Sequence, residues 1–155
     1  MIDPRRAGAY DRLYAQLETL VRGKSPSLIA GMATIAALLQ AKLAHHSWTG
    51  FYFVAGDDEL HVGPYQGAVA CQVLKGGGVC LACASLGKSV VVPDVEAFPG
   101  HIACDSRSRS ELVVPLIKDG RVIAVLDIDS NRLAQFDKDD VAPLERIVGL
   151  LEGLS

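Results

Sequence analysis

The chain has 155 residues, half of them hydrophobic, and carries a formal net charge of −3. This length suits a single domain over residues 1–155 with a sizeable core. The mild acidity argues against nucleic acid and anionic membranes as partners, because both bind basic surfaces. No targeting segment is recognisable, and the longest apolar run is too short to span a bilayer, so a cytoplasmic location is expected.

Two helices are predicted at the start of the chain. The first covers residues 4–21, where apolar side chains from Tyr10 to Leu20 recur at helical spacing. The second is expected to begin at Ser25, which can cap it, with Pro26 in the first helical position and an apolar stripe behind it.

The middle of the chain alternates short strands with turns. A strand over residues 48–54 is rich in aromatic and β-branched side chains, and its period of two places Trp48 and Tyr52 on one face. The elements expected after it are a turn at residues 55–58, a returning strand at 59–63, an irregular stretch at 64–67, a strand at 70–74, a helix at 79–86 ending at Gly87, a strand at 90–92 and a loop at 93–105.

A β-hairpin gives the clearest local pattern. Residues 111–117 and 122–129 flank Asp119 and Gly120, the pair favoured in type I′ turns. A closing helix capped by Asp137 is expected after the hairpin. Helices at both ends of a run of hairpin-linked strands predict an α+β fold, in which helices pack on an antiparallel sheet.

Three carboxylates are expected to meet at one end of this hairpin. Asp127 and Asp129 share a face of one strand, and Glu111 begins the partner strand. If only the two aspartates were present, the simplest interpretation would be an exposed strand end with two solvated carboxylates and no function. Three carboxylates together repel each other, so a cation, a bound ammonium group or a retained proton must offset the repulsion. Cys104 precedes Glu111 by seven residues, so its thiol can lie beside these acidic groups. Carboxylates alone would raise the pKa of the thiol and weaken it as a nucleophile. A substrate that brings its own positive charge and electrophilic centre would resolve this conflict.

The aromatic pair Trp48 and Tyr52 has two interpretations. Two aromatic side chains on a buried sheet face can simply form part of the core. They can also build a wall against a methyl group or a sulfonium-like sulfur.

The four cysteines, Cys71, Cys80, Cys83 and Cys104, also have two interpretations. In the cytosol, clustered cysteines more often bind metal or perform redox chemistry than form structural disulfides. Cys80, Cys83, His101 and Cys104 have the spacing of a structural zinc set. Two features argue against zinc: cysteines three apart on one helix point away from each other, and the ample core needs no metal to hold it together.

Several short motifs occur in a fixed order along the chain. They are WTGFY at residues 48–52, GPYQG at 63–67, GVC at 78–80, FPGHIACD at 98–105, SE at 110–111, VLDIDS at 125–130 and FD at 136–137. Together they resemble the free methionine-(R)-sulfoxide reductases, which are GAF-domain enzymes. The GHIACD block followed by Glu111 and the LDIDS strand is specific, because ligand-sensing GAF domains lack this set.

This resemblance implies a fold and an activity. The fold would be a GAF domain with about six mostly antiparallel strands and helices that pack on them at both ends. The activity would be reduction of free methionine (R)-sulfoxide, with thioredoxin as external reductant and with no cofactor or metal. Cys104 would attack the sulfoxide sulfur and become a sulfenic acid, which Cys71, or else Cys80, would convert into a disulfide.

The resemblance also implies roles for the other site residues. Glu111, Asp127 and Asp129 would hold the amino group and polarise the sulfoxide oxygen, and Trp48 and Tyr52 would surround the methyl end. Cys83 lies outside the family pattern and is expected to be an inert buried thiol, with exchange with Cys80 as the alternative. A homodimer is expected too, since GAF domains often pair through their terminal helices.

Two alternatives to an enzyme stay open at this point. One is a GAF module that senses a small amino-containing ligand without turnover. The other is a domain stabilised by zinc at Cys80, Cys83, His101 and Cys104.

Overall fold

A computed structural model describes residues 2–101 and 107–155. The helices are α1 (Pro4–Val21), α2 (Leu28–Lys42), α3 (Val79–Leu86) and α4 (Val141–Val148), and the strands are β1 (Trp48–Gly56), β2 (Glu59–Gly67), β3 (Val73–Lys75), β4 (Val90–Val92), β5 (Ser110–Lys118) and β6 (Arg121–Ser130). Within these described ranges, no helix is long and apolar enough to cross a membrane.

The six strands form one sheet in the order β3-β2-β1-β6-β5-β4. Every neighbouring pair in it is antiparallel. Helices α1 and α4 stand near the two ends of the chain and pack against each other; α4 also packs on β5, and α1 on α2. The predicted α+β fold, with about six mostly antiparallel strands and terminal helices, is confirmed.

The two faces of the sheet bury different sets of side chains. Phe51 and Leu126 lie on the face covered by α1, α2 and α4, and both are fully buried. Val113 and Val125 lie on the opposite face, which α3 covers. Alternation along each strand therefore sends every second residue of β1, β5 and β6 toward α3. The predicted site residues of these strands lie on this second face.

The β5–β6 hairpin has the turn and register that its sequence predicts. Asp119 and Gly120 have φ angles of 52° and 75°, and a type I′ turn requires positive φ at both central residues. Glu111 lies opposite Asp129 in the ladder. The expected meeting of Glu111, Asp127 and Asp129 at one end of the hairpin is confirmed.

The predicted start of α2 is wrong by two residues. Ser27, and not Ser25, is the N-cap, and its hydroxyl accepts a hydrogen bond from the Ala30 N–H at 3.1 Å. The Ser25 N–H instead donates to the Val21 carbonyl at the end of α1. Because Ser25 is used in closing the preceding helix, Pro26 lies before the cap and not in the first helical turn.

Residues 64–67 are part of strand β2 and not an irregular stretch. Proline disfavours a central strand because it cannot donate a ladder hydrogen bond. Pro64 is tolerated because β3 pairs only with residues 59–61, which leaves one edge of β2 open at Pro64. The bulge between β1 and β2 also lies nearby, at Gly50 and Tyr52.

Smaller differences concern the bounds of other elements. Helices α1 and α3 have the predicted bounds, but Leu20 is 46% exposed and Val21 takes its expected place in the core. Strand β1 continues to Gly56, so the predicted four-residue turn shortens to two residues. Strand β3 begins at Val73, and residues 70–72 precede it as loop.

Candidate active site

A cleft opens between the sheet and the start of α3. The space between its walls is about 600 Å³ when the solvent at its open mouth is included. Six of the predicted site residues line it: Trp48, Tyr52, Cys80, Glu111, Asp127 and Asp129. The structure therefore brings together residues from β1, α3, β5 and β6 that are far apart in sequence.

Strand register explains how the polar and aromatic residues meet. β6 lies between β1 and β5 in the sheet. Trp48 on β1 and Glu111 on β5 both lie opposite Asp129 on β6, and Gly50 lies opposite Asp127. Because Gly50 has no side chain, the Trp48 ring can occupy the space above it.

Glu111 and Asp127 form a buried acidic pair, only 5% and 6% exposed. Burial, reinforced by the charges of Asp127 and Asp129, raises the pKa of Glu111 well above its usual range. Burial also raises the pKa of Asp127, but a hydrogen bond from Glu111 and a second one from Cys80 act in the opposite direction. Of the two groups, Glu111 is therefore the one that more readily keeps a proton, and it donates a hydrogen bond to Asp127.

Two buried polar atoms at the cleft have no hydrogen-bond partner in the described part of the chain. They are Asp127 Oδ1 and the Ser108 hydroxyl oxygen, and both residues line the cleft. A buried polar atom without a partner costs about 1–3 kcal/mol. A ligand that supplies N–H or O–H donors would remove this cost for the carboxylate oxygen.

Three stacked aromatic rings form one wall of the cleft region. The Trp48 ring stacks on Tyr52 and on Tyr65, with centroids 5.7 and 5.3 Å away. The Trp48 indole N–H donates to the Ala68 carbonyl at 3.1 Å, and the Tyr52 hydroxyl donates to the Cys71 carbonyl at 3.2 Å. The wall therefore presents apolar ring surface to the cleft, while its polar atoms hold residues 68–71.

Two glycines make room for the Trp48 indole. A β-carbon on Gly50 would lie 2.6 Å from the ring and would also overlap the Tyr65 side chain. A β-carbon on Gly67 would lie 2.7 Å from the ring, and this glycine has a φ of +125° that other residues rarely adopt. These positions hold the ring flat against the sheet and beside Asp129.

The opposite wall of the cleft is the start of α3. Gly76, Gly77 and Gly78 all have positive φ angles, and the last two line the cleft. A β-carbon on Gly77 would lie 3.5 Å from the Gly100 carbonyl oxygen, so the two loops approach closely. Within residues 2–101 and 107–155, no side chain caps α3, and the first N–H groups of a helix have no partner inside the helix itself.

The four cysteines lie in different environments. Cys104 falls outside the described residues. Cys71 is half-buried and disulfide-bonded. Cys80 and Cys83 are free and buried on α3. Burial raises the pKa of Cys83 to about 12 and, together with the charges of Asp127 and Glu111, raises that of Cys80 well above its usual range.

Cys80 alone of these two free thiols lines the cleft, where its Sγ donates to Glu111 Oε1 at 3.8 Å. Cys83 is fully buried in the core between α3 and the sheet. Among the described residues, Cys80, Cys83 and His101 are not grouped at metal-binding distances. The two cysteines therefore diverge on α3 as their spacing predicts, which disfavours the four-residue zinc set.

His101 approaches the acidic cluster from the loop side. Its Nε2 lies 3.7 Å from Glu111 Oε2. Burial lowers the pKa of His101 and raises that of Glu111. Both shifts favour the neutral form of the two groups, which weakens an ion pair between them.

Sequence reasoning missed part of the cleft. Ser108 was not singled out, and neither were Ala68, Val69 and Ala70. A lone serine before a strand and a run of small apolar residues carry no recognisable chemical pattern. Only the position of Ser108 between Cys104 and Glu111 could have suggested it.

Known proteins resemble this chain over nearly its whole length. A family model described as GAF domain matches residues 32–152. A structure of free methionine-R-sulfoxide reductase from Neisseria meningitidis in complex with its substrate is 44% identical, with a TM-score of 0.90 over 98% of this chain and 90% of that one. These matches define a GAF-domain protein.

Curated relatives agree with this result. The free methionine-R-sulfoxide reductase of Escherichia coli K12 is 39% identical over 92% of this chain and 86% of its own length. GAF domain-containing protein A of Dictyostelium discoideum is 44% identical over 92% and 90%. The chain belongs to the free methionine-R-sulfoxide reductase family, as the sequence motifs indicate.

Proposed function

We propose that this protein reduces free L-methionine (R)-sulfoxide to methionine. The observation that carries the proposal is the cleft itself, in which a buried carboxylate cluster faces a stacked aromatic wall. A zwitterionic amino acid with an apolar, sulfur-containing side chain matches both surfaces. Relatives whose names state this activity cover the same residues at 39–44% identity.

The carboxylates account for a free amino acid as substrate. The unpartnered Oδ1 of Asp127 can accept a hydrogen bond from an α-ammonium group, and Asp129 lies on the same face two residues away. Methionine sulfoxide within a peptide has no α-ammonium group. It would leave the buried Asp127 oxygen without a donor and would bind less tightly.

The start of α3 is placed to receive the other charged end of the substrate. Its first residues, Val79 and Cys80, line the same cleft as the aspartates, and no side chain in the described ranges caps it. A carboxylate at such a helix start accepts backbone hydrogen bonds and lies at the positive end of the helix dipole. The methyl and sulfur end would then contact the rings of Trp48 and Tyr52.

The protonated Glu111 supplies the proton that the sulfoxide oxygen needs. Donation from Glu111 to this oxygen makes the sulfur more electrophilic. Its raised pKa keeps the proton in place near neutral pH. Glu111 is thus the general acid of the proposal, with Asp127 as the ionised partner that binds the ammonium group.

The proposed chemistry transfers the sulfoxide oxygen to Cys104. The Cys104 sulfur attacks the protonated sulfoxide and forms a transient sulfur–sulfur bond, while the thiol proton replaces the one that Glu111 has donated. Transfer of the oxygen to the Cys104 sulfur then breaks both this bond and the original sulfur–oxygen bond. The products are methionine and a Cys104 sulfenic acid. A second thiol then attacks this sulfenic sulfur and releases water, which leaves a disulfide. Two electrons pass to the substrate, and the two thiols are oxidised.

Cys71 is the thiol that we assign to this second step. It is disulfide-bonded in the structure, while Cys80 and Cys83 are free. The raised pKa values of Cys80 and Cys83 make both poor nucleophiles. The two thiols of thioredoxin then reduce this disulfide by thiol–disulfide exchange, which returns both cysteines of the enzyme to the reduced form.

The surroundings of Cys71 suit reduction by another protein. The neighbouring side chains of Val69 and Val73 are 87% and 49% exposed. An apolar rim beside a half-buried disulfide gives a dithiol protein both a contact surface and access to sulfur.

We further infer a cytoplasmic enzyme of one domain that needs no cofactor and forms a homodimer through its terminal helices.

The test is a coupled assay with thioredoxin, thioredoxin reductase and NADPH. Free methionine (R)-sulfoxide should drive NADPH oxidation, and Cys104→Ser should abolish it. Cys83→Ser serves as the matched control and should remain active. Turnover by Cys104→Ser at the wild-type rate would refute the role of Cys104, whereas ligand binding without turnover would instead support a sensing module.

A further inference from the structure

The acidic cleft also holds a compact set of metal-ligating atoms. Cys80 Sγ and one carboxylate oxygen each from Glu111 and Asp127 lie within 4.8 Å of one another. All three residues are buried, with exposures of 4% to 6%. The three belong to different elements, α3, β5 and β6, which the sheet and its helix hold in place.

One further observation indicates a cation at this set. Asp127 Oδ1 is buried at the cleft and has no hydrogen-bond partner among the described residues. The His101 Nε2 lies 3.7 Å from Glu111 Oε2, but it stands outside the group of ligand atoms that lie within 4.8 Å of one another. Among the described residues, the sulfur and the two carboxylates are therefore the three ligands of the set.

The donor types select among metal ions. Mg²⁺ and Ca²⁺ prefer oxygen ligands throughout, whereas Zn²⁺ and Cd²⁺ bind sulfur and imidazole as well. Tetrahedral Zn²⁺ has bonds of about 2.0–2.3 Å, so its ligand atoms stand roughly 3.2–3.8 Å apart. Small side-chain rotations would contract the observed cluster to this spacing.

We propose that the cleft binds one Zn²⁺ or Cd²⁺ ion through Cys80, Glu111 and Asp127, with a water molecule as the fourth ligand. The ion displaces the proton of the thiol, because the thiolate is the ligand form of cysteine. This site differs from the zinc set considered from spacing, since it uses two carboxylates and excludes Cys83.

Metal binding has a consequence that rests on the proposed function. The ion would occupy the place of the substrate ammonium group on Asp127 and would remove the Glu111 proton. The metal-bound protein would therefore be unable to bind and reduce methionine sulfoxide. The cleft would make the enzyme sensitive to inhibition by thiophilic metal ions, without any resident metal in the reaction.

The test is a Cd²⁺ titration of the oxidised protein, in which Cys71 is disulfide-bonded. The readouts are the ultraviolet charge-transfer band of a cadmium–thiolate bond and calorimetry with Zn²⁺. We expect one equivalent to bind with this band, and Cys80→Ala to lose it. Cys83→Ala is the matched control, because it removes the other free thiol of α3 and should bind as the wild type does.

Carboxamide variants keep the proposal falsifiable if Cys80→Ala fails to fold. Glu111→Gln and Asp127→Asn retain side-chain shape, and each should weaken Zn²⁺ binding at least tenfold. Wild-type protein without the charge-transfer band, or a band that survives in Cys80→Ala, would overturn the site. Neither result depends on enzyme activity.

A competition arm separates this proposal from the proposed function. Excess free methionine (R)-sulfoxide should compete with Cd²⁺ for the cleft. The apparent dissociation constant of Cd²⁺ should therefore rise in proportion to the ratio of the sulfoxide concentration to its own dissociation constant. Metal binding that depends on Cys80 but is unaffected by the sulfoxide would uphold the metal site and contradict the placement of the substrate on Asp127.

Discussion

The Tyr52 hydroxyl donates a hydrogen bond to the backbone carbonyl of Cys71 at 3.2 Å. Tyr52 belongs to the aromatic wall of the cleft, and Cys71 is the cysteine that is found in a disulfide. One side chain thus joins the surface proposed to contact the substrate to the segment proposed to resolve the sulfenic acid. Burial raises the Tyr52 pKa, so the hydroxyl keeps its proton and remains a donor.

Tyr52→Phe keeps the stacked ring and removes only this hydrogen bond. We expect the first step, the release of methionine in a single turnover, to proceed as in the wild type. Disulfide formation should slow about two- to tenfold, because a hydrogen bond of this kind contributes about 0.5–1.5 kcal/mol. Quenched-flow trapping of free thiols measures the two steps separately. An equal slowing of methionine release would contradict the assigned role.

Gly50→Ala should damage the aromatic wall. The added methyl group would lie 2.6 Å from the Trp48 ring and would displace it from its position beside Asp129. We expect KM for the sulfoxide to rise at least tenfold, with a loss of stability of about 1–3 kcal/mol from overpacking. Steady-state kinetics and urea unfolding measure the two effects.

Gly56→Ala is the control on the same strand. A β-carbon at Gly56 would have Glu59 at 4.0 Å as its nearest neighbour, which is ordinary contact. Its kinetics and stability should match the wild type within experimental error. If the two alanine variants behaved alike, Gly50 would have no special role in placing Trp48.

Glu111 should make the stability of the protein depend on pH. Burial raises the pKa of Glu111 in the folded protein above its value in the unfolded chain, which is 4.5. For such an acid, the contribution to stability is fully present at any pH below the pKa of the unfolded chain. This stabilisation is lost as pH rises through the folded value, by up to about 1.4 kcal/mol per pH unit while the group titrates. The free energy of unfolding should therefore fall with rising pH above 4.5.

Glu111→Gln should remove this decline, since the amide does not ionise. The variant should gain stability relative to the wild type as pH increases, and it should lose sulfoxide reduction at every pH. Urea unfolding at a series of pH values checks the first effect, with the exposed Glu152→Gln as control. A Glu111→Gln profile parallel to that of the wild type would show that the buried proton lies elsewhere.

Val73→Asp should impair reduction of the enzyme by thioredoxin but not by the small reductant dithiothreitol. Val73 is 49% exposed and follows Cys71 by two residues, but it does not line the cleft. A charge there should raise KM for thioredoxin about three- to tenfold and leave turnover with dithiothreitol unchanged. Leu133→Asp, at another exposed apolar residue, should change neither reaction. An equal loss with both reductants would argue against docking at this surface.

The β5–β6 hairpin was predicted correctly because its turn and its pairing depend on residues that are close together in the sequence. Asp119 and Gly120 specify their turn through the positive φ angles that they tolerate, and this turn fixes the register of β5 and β6. Period two then determines which residues share a face. These two facts alone place Glu111 near Asp127 and Asp129, as the sequence predicts.

Tertiary context determines the parts that were predicted incorrectly. Ser25 and Ser27 have the same capping chemistry, and the choice between them depends on how α1 ends. Pro64 is tolerated in β2 because β3 is too short to reach it. A retained proton is among the options that the sequence offers for the three carboxylates, but it does not say which of them keeps the proton. The raised pKa of Glu111 depends mainly on burial, which only the folded chain creates.

The most direct test of the account compares free methionine (R)-sulfoxide with its N-acetyl derivative in the thioredoxin-coupled assay. The two share the same sulfoxide, and the derivative lacks only the ammonium group that the carboxylate cluster is proposed to bind. The account predicts a kcat/KM at least a hundredfold higher for the free amino acid, and a much smaller preference in Asp127→Asn. Equal kcat/KM values for the two sulfoxides in the wild type would contradict it.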